Sequence, residues 1–430
     1  MTLDRDSSLA TRNVSADDGT SPGSTEGDRS GASTSLRLQP DLATQRAWVE
    51  VDLAAIRHNV RVLRERLQPN CEFWAVVKAN AYGHGAIPVS RVAIAAGARG
   101  LCVATLAEGL ELRAAGIDAP ILLLGPLYSA REIEIAAARR LELTLVTDAS
   151  IAECDRIGQQ LGHPISVHLN VDTGMSRLGI PAHRALACWR AIAAASYLDG
   201  RSLYSHFATA DELDHPATQQ QSDRFARIIR EFQTQSIALP TLHLSNSAAT
   251  LSNARWHHQL VRVGLAMYGY APASHLNAEG RLRPAMSVKA RITQLKTVPA
   301  GTGISYGHRY TTRQPTRLAT VAIGYADGVP RCLSGRLRSH IGRVPTQQVG
   351  TITMDQTLWD VSQVPADDIA IGQPLTILSP THSAQTWADL AGTISYEILC
   401  GFSARLPRAY VESTRDRDFT GDRANDPNPN

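Results

Sequence analysis

Apolar residues recur along the chain with two periods that alternate. Leu53, Ile56, Val60, Leu63 and Leu67 fall at helical spacing, and the continuous apolar run Phe73-Trp74-Ala75-Val76-Val77 follows. A run of that length predicts a strand buried on both faces. The same beat repeats downstream. Helices are expected over 86–96 and 108–115, and strands over 101–104, 121–124, 143–146, 165–171, 198–206, 241–244 and 260–267. Eight strand signals with helical patterns in most of the gaps predict a (β/α)8 barrel. An open doubly wound sheet has the same beat with about six strands, so the count favours the barrel.

From about Arg283 the pattern changes. Helical periodicity mostly stops, and strand-like runs at 287–295, 318–323, 349–352 and 375–378 are separated by Gly and Pro. The chain is therefore divided into a barrel over 46–283 and a mainly β domain over 284–413. The flanks, 1–45 and 414–430, are polar and carry little apolar surface to offset the entropy of ordering. They are read as disordered tails.

Composition narrows the function. A chain of 430 residues with 43% hydrophobic and 19% charged positions is an ordinary globular protein. A net charge of +3 is too weak to argue for nucleic acid or an anionic membrane. Arg331, Arg336, Arg338 and Arg343 cluster without interleaved aromatics and read as a solvated face. The six cysteines form no CxxC pair and suit a reducing cytoplasm better than a disulfide framework. No His/Cys group has zinc spacing, so no metal is expected. The first residues lack the apolar segment of a secretory signal, and no apolar stretch is long enough to cross a bilayer. A cytoplasmic location is expected.

In a barrel the chemistry sits where the strands end. The first strand ends in Lys78-Ala79-Asn80-Ala81-Tyr82-Gly83-His84-Gly85. A lysine there is desolvated, which favours the neutral amine that a Schiff base needs; alternatively it is paired with a carboxylate. Asp172-Thr173-Gly174-Met175-Ser176-Arg177 follows the fifth strand, and Arg177 either grips a substrate carboxylate or a ring hydroxyl, or pairs with Asp172. His206, after the sixth, either packs on a cofactor ring or is a satisfied core histidine. Asn246-Ser247-Ala248-Ala249 after the seventh strand is an anion cradle or a plain helix cap. Arg262-Val263-Gly264 belongs to the eighth, and Gly264 lets a backbone approach a ligand closely. Barrels commonly bind phosphate after strands seven and eight.

The motif Val76-Val77-Lys78-Ala79-Asn80-Ala81-Tyr82-Gly83-His84-Gly85 resembles the cofactor-attachment signature of alanine racemases, enzymes of pyridoxal-phosphate fold type III. The resemblance continues through Asp172 to Gly179, Ser205-His206-Phe207-Ala208, Asn246 to Ala249, Arg262-Val263-Gly264, Ser305-Tyr306-Gly307, Gly324 to Gly328, Met354-Asp355 and Tyr396-Glu397. It spans about Trp48 to Tyr410. It implies a barrel followed by a β domain, interconversion of L- and D-alanine, and D-alanine supply for peptidoglycan. It also implies two bases, Lys78 and Tyr306, the tyrosine coming from the second subunit of a homodimer. Pyridoxal 5'-phosphate would be bound by Lys78, Tyr82, His206, Ser247, Arg262, Gly264, Leu265 and Tyr396. Of these, Arg262 would face the ring nitrogen and His206 would lie behind the ring. Arg177, Met354, Asp355 and Tyr325 would serve the substrate, Tyr325 as a gate. Many members carry a carbamylated lysine where this chain has Asn170; either a bound chloride beside Arg177 or nothing takes its place. Serine, lysine and broad-specificity racemases share these motifs, as do cofactor carriers in the barrel part alone. The presence of Tyr306 in a β domain speaks against a carrier.

Overall fold

The computed structural model describes residues 41–277 and 280–413. Residues 1–40 and 414–430, most of the two segments read as tails, lie outside the described residues. Asp41 to Gln45 are described and are tied down, since the Arg291 guanidinium donates to the carbonyls of Leu42 and Gln45.

The chain opens with strand β1 (Ala47–Asp52) and helix α1 (Leu53–Arg64). The Asp52 carboxylate caps α1 by accepting from the Ala54 and Ala55 N–H groups. Its apolar face, Ile56, Val60 and Leu63, is fully buried. There follow β2 (Glu72–Val76), α2 (Ala86–Ala95), β3 (Gly100–Val103), α3 (Leu106–Ala114), β4 (Ile121–Leu123), α4 (Ala130–Ala138), β5 (Glu142–Leu145), α5 (Asp148–Leu161) and β6 (Ile165–Asp172). Then come α6 (Ala185–Ala194), β7 (Leu198–Tyr204), α7 (Pro216–Thr234), β8 (Thr241–His243), the short α8 (Ser247–Ser252) and β9 (Leu260–Val263). Strands β2 to β9 are all parallel, in the order β5-β4-β3-β2-β9-β8-β7-β6, and pairing of β5 with β6 closes the ring. This is the expected (β/α)8 barrel.

Two barrel strands end two or more residues before the apolar pattern suggests. β9 stops at Val263 because Gly264 leaves the extended region (ψ −96°), and Leu265–Tyr268 coils into a 3-10 turn. β7 stops at Tyr204, which leaves Ser205 and His206 in the loop beyond it.

The second sheet holds β10 (Met286–Val298), β11 (Thr316–Val321), β12 (Arg338–Ile341), β13 (Val344–Val349), β14 (Thr357–Asp360), β15 (Pro374–Leu378) and β16 (Arg408–Val411), with helices α9 (Ala384–Ala391) and α10 (Ser395–Gly401). Its order is β12-β13-β14-β11-β10-β1-β16, and β15 also pairs with β10. The range 46–283 assigned to the barrel therefore begins with a strand of the other sheet. β1 runs antiparallel to β10 and parallel to β16 because Ala47, Val49 and Val51 join the β-domain core rather than the barrel core. Among the described residues no helix is long and apolar enough to cross a membrane, no group of His, Cys, Asp and Glu could hold a metal ion, and the cysteines are all free.

Candidate active site

Lys78 follows β2 and opens a strained turn. Ala79, Asn80, Ala81 and Tyr82 all lie at φ between +51° and +53°, a left-handed run made without glycine. Such backbone costs about 1–2 kcal/mol per residue, so it persists only where its surroundings over-determine it. The surroundings do so here. The Glu108 carboxylate accepts from the N–H of Ala79 (2.7 Å) with one oxygen and of Ala104 (2.7 Å) and Thr105 (3.1 Å) with the other. Asn80 accepts from Gly85 through its carbonyl and from Ala86 through its side chain, 2.9 and 2.8 Å. The buried His84 ring bridges the Ala81 and Tyr82 carbonyls, and Arg408 donates to the Gly83 carbonyl. The chain thus turns sharply and leaves Lys78 at the mouth of the barrel.

A cavity of about 530 Å³ opens there. Lys78, Tyr82, Arg177 and His206 line it, as do Ser247, Arg262, Gly264, Leu265 and Tyr396. Asn170 lines it too. Burial lowers the Lys78 pKa, and the Arg177 cation lowers it further, against an opposing pull from Glu108. Arg177 makes no ion pair with Asp172, whose carboxylate instead accepts from the N–H groups of Gly174, Met175 and Ser176. Arg262 is buried (3% exposed) and lies over the Tyr204 ring at 4.9 Å. It donates to His243 Nδ1 (2.5 Å), to the Ser205 carbonyl (2.8 Å) and, at 3.4 Å, to His206 Nδ1. Burial and then the Arg262 charge push the His206 imidazole down to about 3, so it is neutral.

Ser247 Oγ accepts from the N–H of Gly264 at 3.0 Å and of Ala266 at 3.4 Å, which locks the β8 and β9 loops together. A Cβ on Gly264 would sit 2.4 Å from the Tyr82 hydroxyl. Tyr82 itself packs between Tyr268 (4.8 Å) and Tyr396 (6.0 Å), the latter from α10 of the β domain.

The other expected residues are not in this cavity. Tyr306 (72% exposed), Met354 and Tyr325 are exposed, and Asp355 pairs with Arg405 at 2.6 Å. They form a second cluster. Thr351 Oγ1 donates to the Tyr306 carbonyl, Ser305 Oγ to the Thr351 carbonyl, and the N–H groups of Tyr325 and Ala326 to the carbonyls of Thr353 and Met354. Among the residues at the cavity, or holding it, that were not singled out from the sequence are Glu108, Tyr204, His243 and Cys400. For His243 a signal existed. Polar residues at alternate positions of buried strands, as in Ser202 and Tyr204, mark the inward face.

Fold and cavity together define a barrel enzyme organised around a desolvated strand-end lysine. Comparison with known proteins gives the particular kind. Residues 51–272 match the family model described as alanine racemase, N-terminal domain, and residues 285–410 that of alanine racemase, C-terminal domain. The alanine racemase of a Synechocystis species is 47% identical over 371 residues, covering 85% of this chain and 99% of the relative. Among solved structures, the alanine racemase of D-cycloserine-producing Streptomyces lavendulae has a TM-score of 0.79 at 38% identity, covering 86% and 98% of the two chains. That of Bacillus anthracis, solved with bound L-Ala-P, has a TM-score of 0.78 at 36% identity, covering 86% and 95%. The chain belongs to the alanine racemase family. It is an isomerase, and the family implies pyridoxal phosphate as its cofactor.

Proposed function

We propose that the protein interconverts L- and D-alanine with two bases, Lys78 from one subunit and Tyr306 from a second copy of the chain. The observation that carries this reading is the division of the expected residues. The lysine sits in a cavity that Ser247, Gly264, Leu265 and Tyr396 also line, and the tyrosine stands exposed on the other domain of the same chain. A homodimer with shared sites brings the two together.

The residues fit pyridoxal phosphate. Gly264 keeps the cradle open where any side chain would strike Tyr82, and Ser247, Leu265 and Tyr396 complete it. The bound group supplies an aldehyde for amines and a ring that withdraws electrons from the substrate α-carbon. Lys78 anchors it and then moves the α-proton on one face; its lowered pKa supplies the neutral amine. Tyr306 moves the proton on the opposite face, because one base returns it to the side it came from. Arg262, a donor-only cation, serves the ring nitrogen and leaves it without a proton, which disfavours transamination. Arg177 orients Tyr306 and the ring hydroxyl, Met354 and Asp355 face the substrate, and Tyr325 gates it. Arg177 has no hydrogen-bonding partner among the described residues, and the neighbouring Asn170 is neutral. A chloride there supplies the countercharge, and an anomalous-scattering map without an anion would remove it. D-alanine made in the cytoplasm feeds peptidoglycan, which complementation of a D-alanine auxotroph tests.

The direct experiment incubates the purified protein with L-alanine, L-serine or L-lysine and follows the D-isomers. D-alanine is expected to dominate. No D-alanine above a Lys78→Ala control refutes the activity, and an active Tyr306→Phe variant refutes the second base.

A further inference from the structure

Five adjacent barrel strands, β5 to β9, each contribute one interior polar side chain to a continuous hydrogen-bonded path. Glu142 Oε2 meets His168 Nε2 at 2.7 Å, and His168 Nδ1 meets Ser202 Oγ at 2.6 Å. Ser202 Oγ meets His243 Nε2 at 2.7 Å, and His243 Nδ1 meets Arg262 Nη1 at 2.5 Å. The strand register builds the path, since His168 and Ser202 are direct partners across β6 and β7. Its far end lies at the opposite mouth of the barrel, where Glu142, His168 and Ser202 line a cavity with Glu72, Thr241 and Leu260. These last three sit at or near the starts of their strands.

The donor and acceptor roles along this path are fixed from one end. A guanidinium can only donate, so His243 Nδ1 accepts and its proton resides on Nε2. That proton goes to Ser202 Oγ, whose own hydrogen then points to His168 Nδ1. His168 in turn carries its proton on Nε2 and donates it to Glu142. Every donor is directed away from Arg262, and the path ends on a carboxylate. Burial raises the Glu142 carboxyl, while the hydrogen bond from His168 and the charges of Arg201 and Arg113 pull it down. Burial and the Arg262 charge hold His243 neutral. Arg262 has no carboxylate partner among the described residues, although a buried cation needs a countercharge. Polarised hydrogen bonds in a low-dielectric interior can convey one.

We propose that Glu142 is the anionic terminus of this relay, which fixes the orientation and hydrogen-bond polarity of Arg262, and that Glu142 and His168 are therefore positioning residues for the site at the other end of the barrel. The proposal rests on Arg262 serving the cofactor.

The test begins with nitrogen-15 NMR of the histidine side chains in the full-length protein as purified. His243 is expected as the neutral Nε2–H tautomer; an Nδ1–H tautomer there overturns the relay, whatever the protein catalyses. Glu142→Gln keeps the volume and an oxygen acceptor but removes the charge. It is expected to lower kcat roughly three- to thirtyfold, to leave KM within about twofold, and to shift the visible absorption of the bound cofactor without loss of cofactor. Ser202→Ala, which cuts the path midway, should do the same. Unchanged kcat and absorption in folded Glu142→Gln would mean that the carboxylate only packs the core. If the protein as purified holds no cofactor and racemises nothing, the functional reading fails instead, and the His243 tautomer still decides the relay.

Discussion

Mixing two inactive variants should restore activity. In Lys78→Ala the cavity lacks its amine but the exposed Tyr306 is intact; in Tyr306→Phe the reverse holds. If Tyr306 acts across a dimer interface, a heterodimer of the two has one site with both residues replaced and one with neither. Random assortment at equal expression makes half of the dimers mixed, so the population should show about a quarter of wild-type activity per subunit, and tag-purified heterodimers about half. The structure sets this expectation: Tyr306 is 72% exposed and does not line the cavity that holds Lys78 of its own chain. The assay co-expresses the variants with different affinity tags, purifies on both in turn, and measures D-alanine formation. Activity no higher than that of the two parents would refute the reasoning, because a tyrosine working within its own chain leaves no complete site in any combination.

Three further outcomes follow from the local geometry. Glu108→Gln leaves one acceptor oxygen for the N–H groups of Ala79, Ala104 and Thr105, so about 1.5–3 kcal/mol of charge-assisted bonding is lost; kcat should drop at least about tenfold, and unchanged kcat would show that the turn holds itself. Gly264→Ala forces the packed Tyr82 ring to move, at about 1–3 kcal/mol, which weakens retention of pyridoxal phosphate about 5- to 150-fold by equilibrium dialysis; wild-type retention would place the cradle elsewhere. Burial holds His84 at about 4 and His206 at about 3. The unfolded chain therefore takes up protons that the folded chain refuses as pH falls below about 6.5. Stability should be complete above that pH and decline towards 4 by up to about 1.4 kcal/mol per pH unit for each group, read as a falling urea midpoint; a flat profile contradicts the neutral imidazoles.

The barrel was legible because its strands are buried on both faces and read as unbroken apolar runs, as in Phe73 to Val77. The lysine and the arginines were legible because they interrupt or end such runs. Strands β1, β12, β13, β14 and β16 were not, since they mix polar and apolar positions; the run read at 349–352 meets β13 only at Val349, and β1 and β16 owe their state to partners far along the chain. Nothing in Ala79, Asn80, Ala81 or Tyr82 announces a left-handed backbone; only the surrounding bonds, from Glu108 above all, impose it. Leu265 to Met267 looked like strand because an apolar 3-10 turn and a strand share the same composition.

The seating of β1 between β10 and β16 has a consequence for how the molecule is assembled. Glu50 pairs with Lys289, 239 positions later, and Asp52 faces Val411 across neighbouring strands. The barrel is thus an insertion inside the other domain, whose sheet cannot close until nearly the whole chain has left the ribosome. Contacts so distant in sequence slow folding, and until they form, Val49 and Val51 lie on an unprotected edge open to mispairing. Expressing 46–283 alone would strand that edge permanently.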